Sequence, residues 1–214
     1  MEQDEGDHFN LADITLVDYG LGNIQAFANI YHRLNVSVDI ASNVEELVRA
    51  NRIILPGVGA FDWAMTSLNN SGMRDCLDEL VLRDKKPILG VCVGMQMMAK
   101  SSEEGSMPGL GWVDADIKRL RCDMIGNLPL PHMGWNDVVP QESFNLFNGI
   151  LSPRFYFLHD YFIETKKTDL IFAEAFYGKN FTVAIQDGNI YGTQFHPEKS
   201  HSYGISLLQN FANF

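Results

Sequence analysis

Cysteine is scarce and scattered in this chain: Cys76, Cys92 and Cys122 are the three in 214 residues. An odd, widely spaced set is unlike a disulfide framework or a paired zinc site. The expectation is a reduced, cytoplasmic protein with no bound metal. Basic residues are also few, 16 Lys and Arg against 27 Asp and Glu, for a net charge of -11. That balance argues against a nucleic-acid partner, because phosphate binding calls for a basic surface. No apolar run approaches the roughly 20 residues that cross a bilayer, so no membrane contact is expected. Internal repeats, low-complexity linkers and domain boundaries are missing as well. Residues 1–10 form an acidic leader expected to be poorly ordered, and 11–214 read as one domain.

What is present is an alternation of short apolar runs and helical patterns. Strands are expected over Leu11–Asp18, Val36–Ala41 and Arg52–Leu55. Helices are expected from the Asn23 cap to Leu34, over Val44–Ala50, Phe61–Asn69 and Gly72–Asp84. The second half is richer in strands: Asp114–Leu120, Phe155–His159, Leu170–Tyr177, Thr182–Gln186 and Ile190–Phe195. The turn Asp187-Gly188-Asn189 predicts that the last two pair as a hairpin, and a helix over Tyr203–Phe211 closes the chain. Strands alternating with helices imply an α/β fold, a central mixed, mostly parallel sheet flanked by helices, with the site at strand C-terminal ends.

The chemistry centres on Pro87-Ile-Leu-Gly90-Val-Cys92-Val-Gly94-Met-Gln96. A buried strand here ends in Gly-x-Cys-x-Gly and turns into a helix, the layout of a nucleophile elbow. The helix N–H groups can stabilise a thiolate and a developing oxyanion. Downstream, Gln194-Phe-His196-Pro-Glu198 offers a base two residues before a carboxylate that could orient it. His132 and His159 compete as bases, with the motif spacing favouring His196. The turn Pro56-Gly57-Val58-Gly59 ends a strand beside the elbow strand and could aim a backbone N–H at a substrate oxygen. Asp18-Tyr-Gly-Leu-Gly-Asn23 lacks the third glycine of a dinucleotide fingerprint and the Lys-Ser/Thr of a P-loop, so no nucleotide cofactor is expected.

These segments, with Ser102-Glu-Glu-Gly105, Pro131-His-Met-Gly-Trp-Asn136 and Gln194-Phe-His-Pro-Glu-Lys-Ser200, resemble the class I glutamine amidotransferases, with their single-domain, flavodoxin-like fold. More narrowly, they are similar to the glutaminase subunits of imidazole glycerol phosphate synthases, over about Ile14 to Phe211. The resemblance implies a Cys92–His196–Glu198 triad that hydrolyses L-glutamine to glutamate and ammonia without a cofactor. It implies oxyanion donors at Val93 and near Gly57 and Val58, and substrate contacts from Gln96 and Glu104. It also implies ammonia transfer to a (β/α)₈ cyclase subunit of histidine biosynthesis, docking near Asn23, Met133, Gly134, Trp135, Asn136 and Lys199. Trp135 is expected on a polar, glycine-containing turn. Asp160 stands where family members often carry Ser. Parts of the chain also look like paralogues that supply ammonia to N-acetyl-sugar amidotransferases, and a catalytically silent partner protein is a further class.

Overall fold

A computed structural model describes residues 12–141 and 145–214. The expected acidic leader, 1–10, and the expected start of the first strand at Leu11 lie outside the described residues. The strands are β1 Ile14–Val17, β2 Val38–Ala41, β3 Ile53–Gly57, β4 Ile88–Cys92, β5 Ser101–Ser102, β6 Asp116–Arg119 and β7 His132–Asp137. They continue with β8 Val139–Pro140, β9 Arg154–His159, β10 Tyr161–Glu164, β11 Ile171–Phe176, β12 Asn180–Asp187 and β13 Ile190–Thr193. The α-helices are α1 Ile24–Arg33, α2 Val44–Leu47, α3 Phe61–Asn70, α4 Arg74–Asp78, α5 Val93–Met97 and α6 His201–Ala212.

Every residue of β1, β3 and β4 is buried. Such uninterrupted apolar runs suit parallel strands covered on both faces. They lie side by side in the order β2-β1-β3-β4-β13, all parallel, and the sheet continues antiparallel through β12, β10 and β6. The predicted hairpin forms, with Asp187 opposite Ile190 and Ala184 opposite Thr193. Helix α1 starts as expected, the Asn23 side chain accepting the Ala26 N–H at 3.3 Å. It meets the closing helix where the buried Tyr31 hydroxyl donates to the Leu208 carbonyl at 3.2 Å.

Two expectations are corrected. The helical pattern over 72–84 is a short α4 that widens into a π-helical turn at Glu79–Arg83. Pro131 to Asn136 is no turn: residues 132–137 are β7, paired antiparallel with β9 in a separate two-stranded sheet. Burial alternates along β9, with Phe155, Phe157 and His159 facing inward. The outward face sets Met133 opposite Leu158 and Trp135 opposite Tyr156. No helix among the described residues is long and apolar enough to cross a membrane.

Candidate active site

Cys92 ends β4 with φ +55° and ψ -113°, and α5 begins at the next residue. Left-handed backbone at a non-glycine residue is strained and persists only where packing over-determines it. Here the packing is backbone against backbone. Gly57 of β3 is in register with Cys92, and a Cβ added at Gly94 would sit 1.9 Å from the Leu55 carbonyl oxygen. Only glycine lets the first turn of α5 press so closely on β3. The same closeness holds from the other side, where a Cβ added at Gly57 would sit 2.3 Å from the Gly94 nitrogen and 2.8 Å from the Val93 carbonyl carbon. Cys92 is itself buried, as are Gly57 and Val93, while Val58 is exposed.

The neighbouring strand β13 runs on through Gln194 and Phe195 to His196, which lies beside the elbow. The His196 backbone N–H donates to the Tyr156 carbonyl at 2.9 Å, and the Ser200 hydroxyl donates to the His196 carbonyl at 2.6 Å. Pro197–Lys199 is a single 3₁₀ turn, which folds Glu198 back under the ring. His196 Nδ1 and Glu198 Oε1 are 2.9 Å apart, with both side chains nearly inaccessible. Burial acts to lower the His196 pKa. Hydrogen bonds to Cys92 and Glu198, and the charges of both, act the other way and win, raising it to about 10. Of the sequence-predicted residues, the structure therefore brings Cys92, His196 and Glu198 together, as one chain of contacts.

The competing histidines are excluded by their bonding. His159 Nδ1 lies 2.7 Å from the Tyr161 carbonyl, which can only accept, so Nδ1 carries the proton and Nε2 is the acceptor. His132 Nδ1 donates to that Nε2 at 2.9 Å, and the Asn136 amide donates to His132 Nε2 at 3.2 Å. Both rings are neutral. Burial holds His132 down to about 4; burial and then the adjacent His132 hold His159 down to about 3. Neither has a free nitrogen with which to take a proton.

The remaining candidates are more scattered. Gln96, 2% exposed, points inward from α5 and donates to Gln194 Oε1 at 3.0 Å. Glu104 Oε2 accepts the Phe61 N–H at 2.8 Å, at the positive end of α3. Burial raises the Glu104 pKa against the opposing pull of that bond, and the charges of Asp160 and Asp62 add to the rise. Asn23 and Lys199 are exposed, Asn23 being occupied as the α1 cap. Met133 is 63% exposed, and Trp135 is 38% exposed with its indole stacked on His201 at 5.4 Å.

Residues beyond the motifs also shape the site. The buried Tyr19 hydroxyl donates to the Pro56 carbonyl at 2.8 Å, pinning the residue before Gly57. Its pKa is pushed up by burial first and by Cys92 second. The Asp62 carboxylate accepts the backbone N–H groups of Ser106 and Met107 at 2.9 and 3.0 Å, fixing the loop that carries Glu104. Gln194 is wholly buried beside Cys92. A polar residue between the buried end of β13 and Phe195 was the available signal for Gln194. Tyr19 and Asp62 had none, since their partners lie far along the chain.

A thiol on a strand-to-helix elbow, beside a His–Glu pair at the C-terminal edge of a parallel sheet, is an arrangement able to support acyl transfer through sulfur. A family model described as glutamine amidotransferase class-I matches residues 15–213, and the chain belongs to that family. Within the family it stands with chains named imidazole glycerol phosphate synthase subunit HisH. It is 55% identical over 201 residues to the one from Bdellovibrio bacteriovorus, covering 93% of this chain and 98% of that one. With the HisH subunit of Leptospira interrogans it shares 48% identity over 202 residues, 94% of this chain and 99% of the relative. A crystal structure of a glutamine amidotransferase superposes with a TM-score of 0.71 over 94% of this chain and 99% of that chain. At 18% identity that likeness speaks for the fold alone.

Proposed function

We propose that the chain is the glutaminase subunit of an imidazole glycerol phosphate synthase, hydrolysing L-glutamine and passing ammonia to a (β/α)₈ cyclase subunit in histidine biosynthesis. The observation that carries the chemistry is the buried His196–Glu198 pair hydrogen-bonded beside a left-handed Cys92. The acceptor assignment rests on the HisH relatives.

In this reading the Cys92 sulfur attacks the side-chain amide carbon of glutamine. The carbonyl π pair moves to oxygen, and the oxyanion is met by the Val93 N–H and by a donor from the Gly57–Val58 segment. Collapse of the tetrahedral species breaks the C–N bond, and His196 gives its proton to the departing ammonia. Water, deprotonated by His196, then attacks the thioester and releases glutamate and the thiol. Gln96 and Glu104 hold the α-amino and carboxylate end of the substrate. Met133, Trp135 and Asn136 on β7, with Asn23 and Lys199, form the docking face for the cyclase.

The test measures glutamate release by the purified chain, alone and with a cyclase subunit plus its acceptor. Release should be slow alone and rise roughly 10²–10³-fold in the complex, the worth of one oxyanion donor supplied on docking. Full activity in the isolated chain would overturn the coupling. Activation only by a sugar amidotransferase would keep the hydrolysis and overturn the pathway.

A further inference from the structure

We propose that Gln194 is a hydrogen-bond donor to the Cys92 sulfur, oriented for that task by the Tyr161 backbone carbonyl. For its catalytic consequence the proposal rests on Cys92 being the nucleophile.

An amide side chain can present either its oxygen or its NH₂, and the surrounding network decides which. The fixed point here is the Tyr161 carbonyl, because a backbone oxygen can only accept. Gln96 Nε2 lies 3.4 Å from it, so the Gln96 amide turns its nitrogen that way. The same nitrogen lies 3.0 Å from the Gln194 side chain, which must therefore meet it with Oε1. Gln194 is left with its NH₂ facing Cys92 Sγ, at 3.7 Å. The polarity of the chain is thus set three groups away from the sulfur it serves. The Tyr161 carbonyl also accepts the His159 Nδ1 proton at 2.7 Å, so it anchors the histidine pair as well.

Burial makes the arrangement consequential. Gln194 is 0% exposed and Gln96 2%, so bulk water does not replace the missing contacts when one is removed. Sinking a carboxamide this deep costs free energy unless it is bonded, and an apolar side chain would fill the space without that cost. A donor aimed at sulfur favours thiolate over thiol. It also gives the sulfur a second polar contact besides that of His196. Gln194 thereby favours the reactive form of Cys92 and fixes the line along which it attacks.

The test is the pH dependence of Cys92 alkylation by iodoacetamide in the full chain, followed by mass spectrometry of the Cys92 peptide. Gln194→Glu keeps the oxygen that Gln96 uses and exchanges the donor for a second carboxylate oxygen; Gln194→Met removes both at similar volume. Both variants should move the midpoint of Cys92 labelling upward by roughly one pH unit, and Glu further than Met, because it adds a like charge. Labelling of the exposed Cys122 should not move. In the complex with the cyclase, kcat should fall about tenfold or more while KM changes little. Folded variants whose Cys92 profile superposes on the wild type would overturn the proposal. Should neither variant fold, the Gln194 side-chain amide resonance of the wild-type chain decides. It must shift over the pH range in which Cys92 labelling rises, and a resonance that stays put overturns the proposal. Alkylation needs no turnover, so a Gln194-dependent shift in a chain that releases no glutamate would sustain the donor and overturn only the glutaminase reading.

Discussion

Gly94→Ala tests the geometry of the elbow through a single methyl group. The added Cβ would lie 1.9 Å from the Leu55 carbonyl oxygen, 3.0 Å from its carbon and 3.2 Å from the Pro56 carbonyl carbon. Ordinary contact begins near 3.4 Å, so α5 and the end of β3 must separate by about 1.5 Å. Both partners are backbone, and no side chain can rotate away. Overpacking of this kind costs typically about 1–3 kcal/mol, and the backbone origin puts this case at the upper end. At about 2–4 °C per kcal/mol for a chain of this size, Tm should drop by roughly 5–10 °C. The displacement also opens the gap between the Gly57–Val58 segment and Val93, across which the proposed mechanism holds the oxyanion. A misplaced donor costs about 10²–10³ in kcat. Thermal melting and glutamate release in the complex measure the two effects. The control is Gly20→Ala, whose positive φ strains alanine but whose Cβ meets nothing within 4 Å; it should lower Tm without touching kcat. A Gly94→Ala chain that melts within about a degree of wild type and turns over normally would refute the close-packing argument.

The other predictions concern the nucleophile, the base and the buried histidines. A glutamine-analogue electrophile should label Cys92 and spare Cys76 and Cys122, as mass spectrometry would show; equal labelling of all three would count against the assignment. His196→Asn should lower kcat by about 10³ or more, whereas His159→Asn should retain a measurable part of the rate. Because His132 and His159 are held at about 4 and about 3 in the fold, the unfolded chain binds protons that the native chain refuses. Their stability contribution is therefore full above about pH 6.5 and is lost as pH falls through about 4 for His132 and about 3 for His159. Urea midpoints at pH 7.5 and 5.0 should show that loss, and His159→Gln should flatten it.

Parallel strands and periodic helices were legible because burial on both faces leaves its mark on every residue. Arg52–Leu55 and the elbow strand fall on β3 and β4 within two residues. Strand β7 was hidden by Pro131, Gly134 and Asn136, which read as turn residues. It exists because β9 supplies the ladder and Gly134 takes φ +122° opposite Phe157. Strand β10 was missed although Tyr161-Phe-Ile-Glu164 favours extended backbone, because the break at Asp160 falls inside one apolar run. For the candidate site, the clustering of three residues was readable from two local motifs: Cys92 is marked by its glycines, and His196 and Glu198 by their spacing around Pro197. Gln194, Tyr19 and Asp62 act on residues 102, 37 and 44 positions away, and no local pattern records such contacts.

The balance of influences on His196 gives the proposed reaction its direction. In the free site the imidazole is protonated well above neutrality, because Cys92 and Glu198 together outweigh the burial that opposes charge. It thus enters the reaction carrying the proton that the departing ammonia will take. Attack on the amide carbon commits the sulfur electron pair to the new C–S bond and removes the hydrogen bond and the charge of Cys92 at one stroke, leaving burial opposed by Glu198 alone. The ring then gives up its proton more readily and becomes the base that the attacking water needs. Glu198 keeps Nδ1 occupied throughout, so the same opposite nitrogen serves both steps. His159 shows what the pairing adds. Buried but facing a backbone carbonyl and a second neutral ring in place of Glu198 and Cys92, it is driven to about 3 and cannot cycle. The difference between a structural and a reacting histidine in this fold lies in the charge of the two groups that flank it.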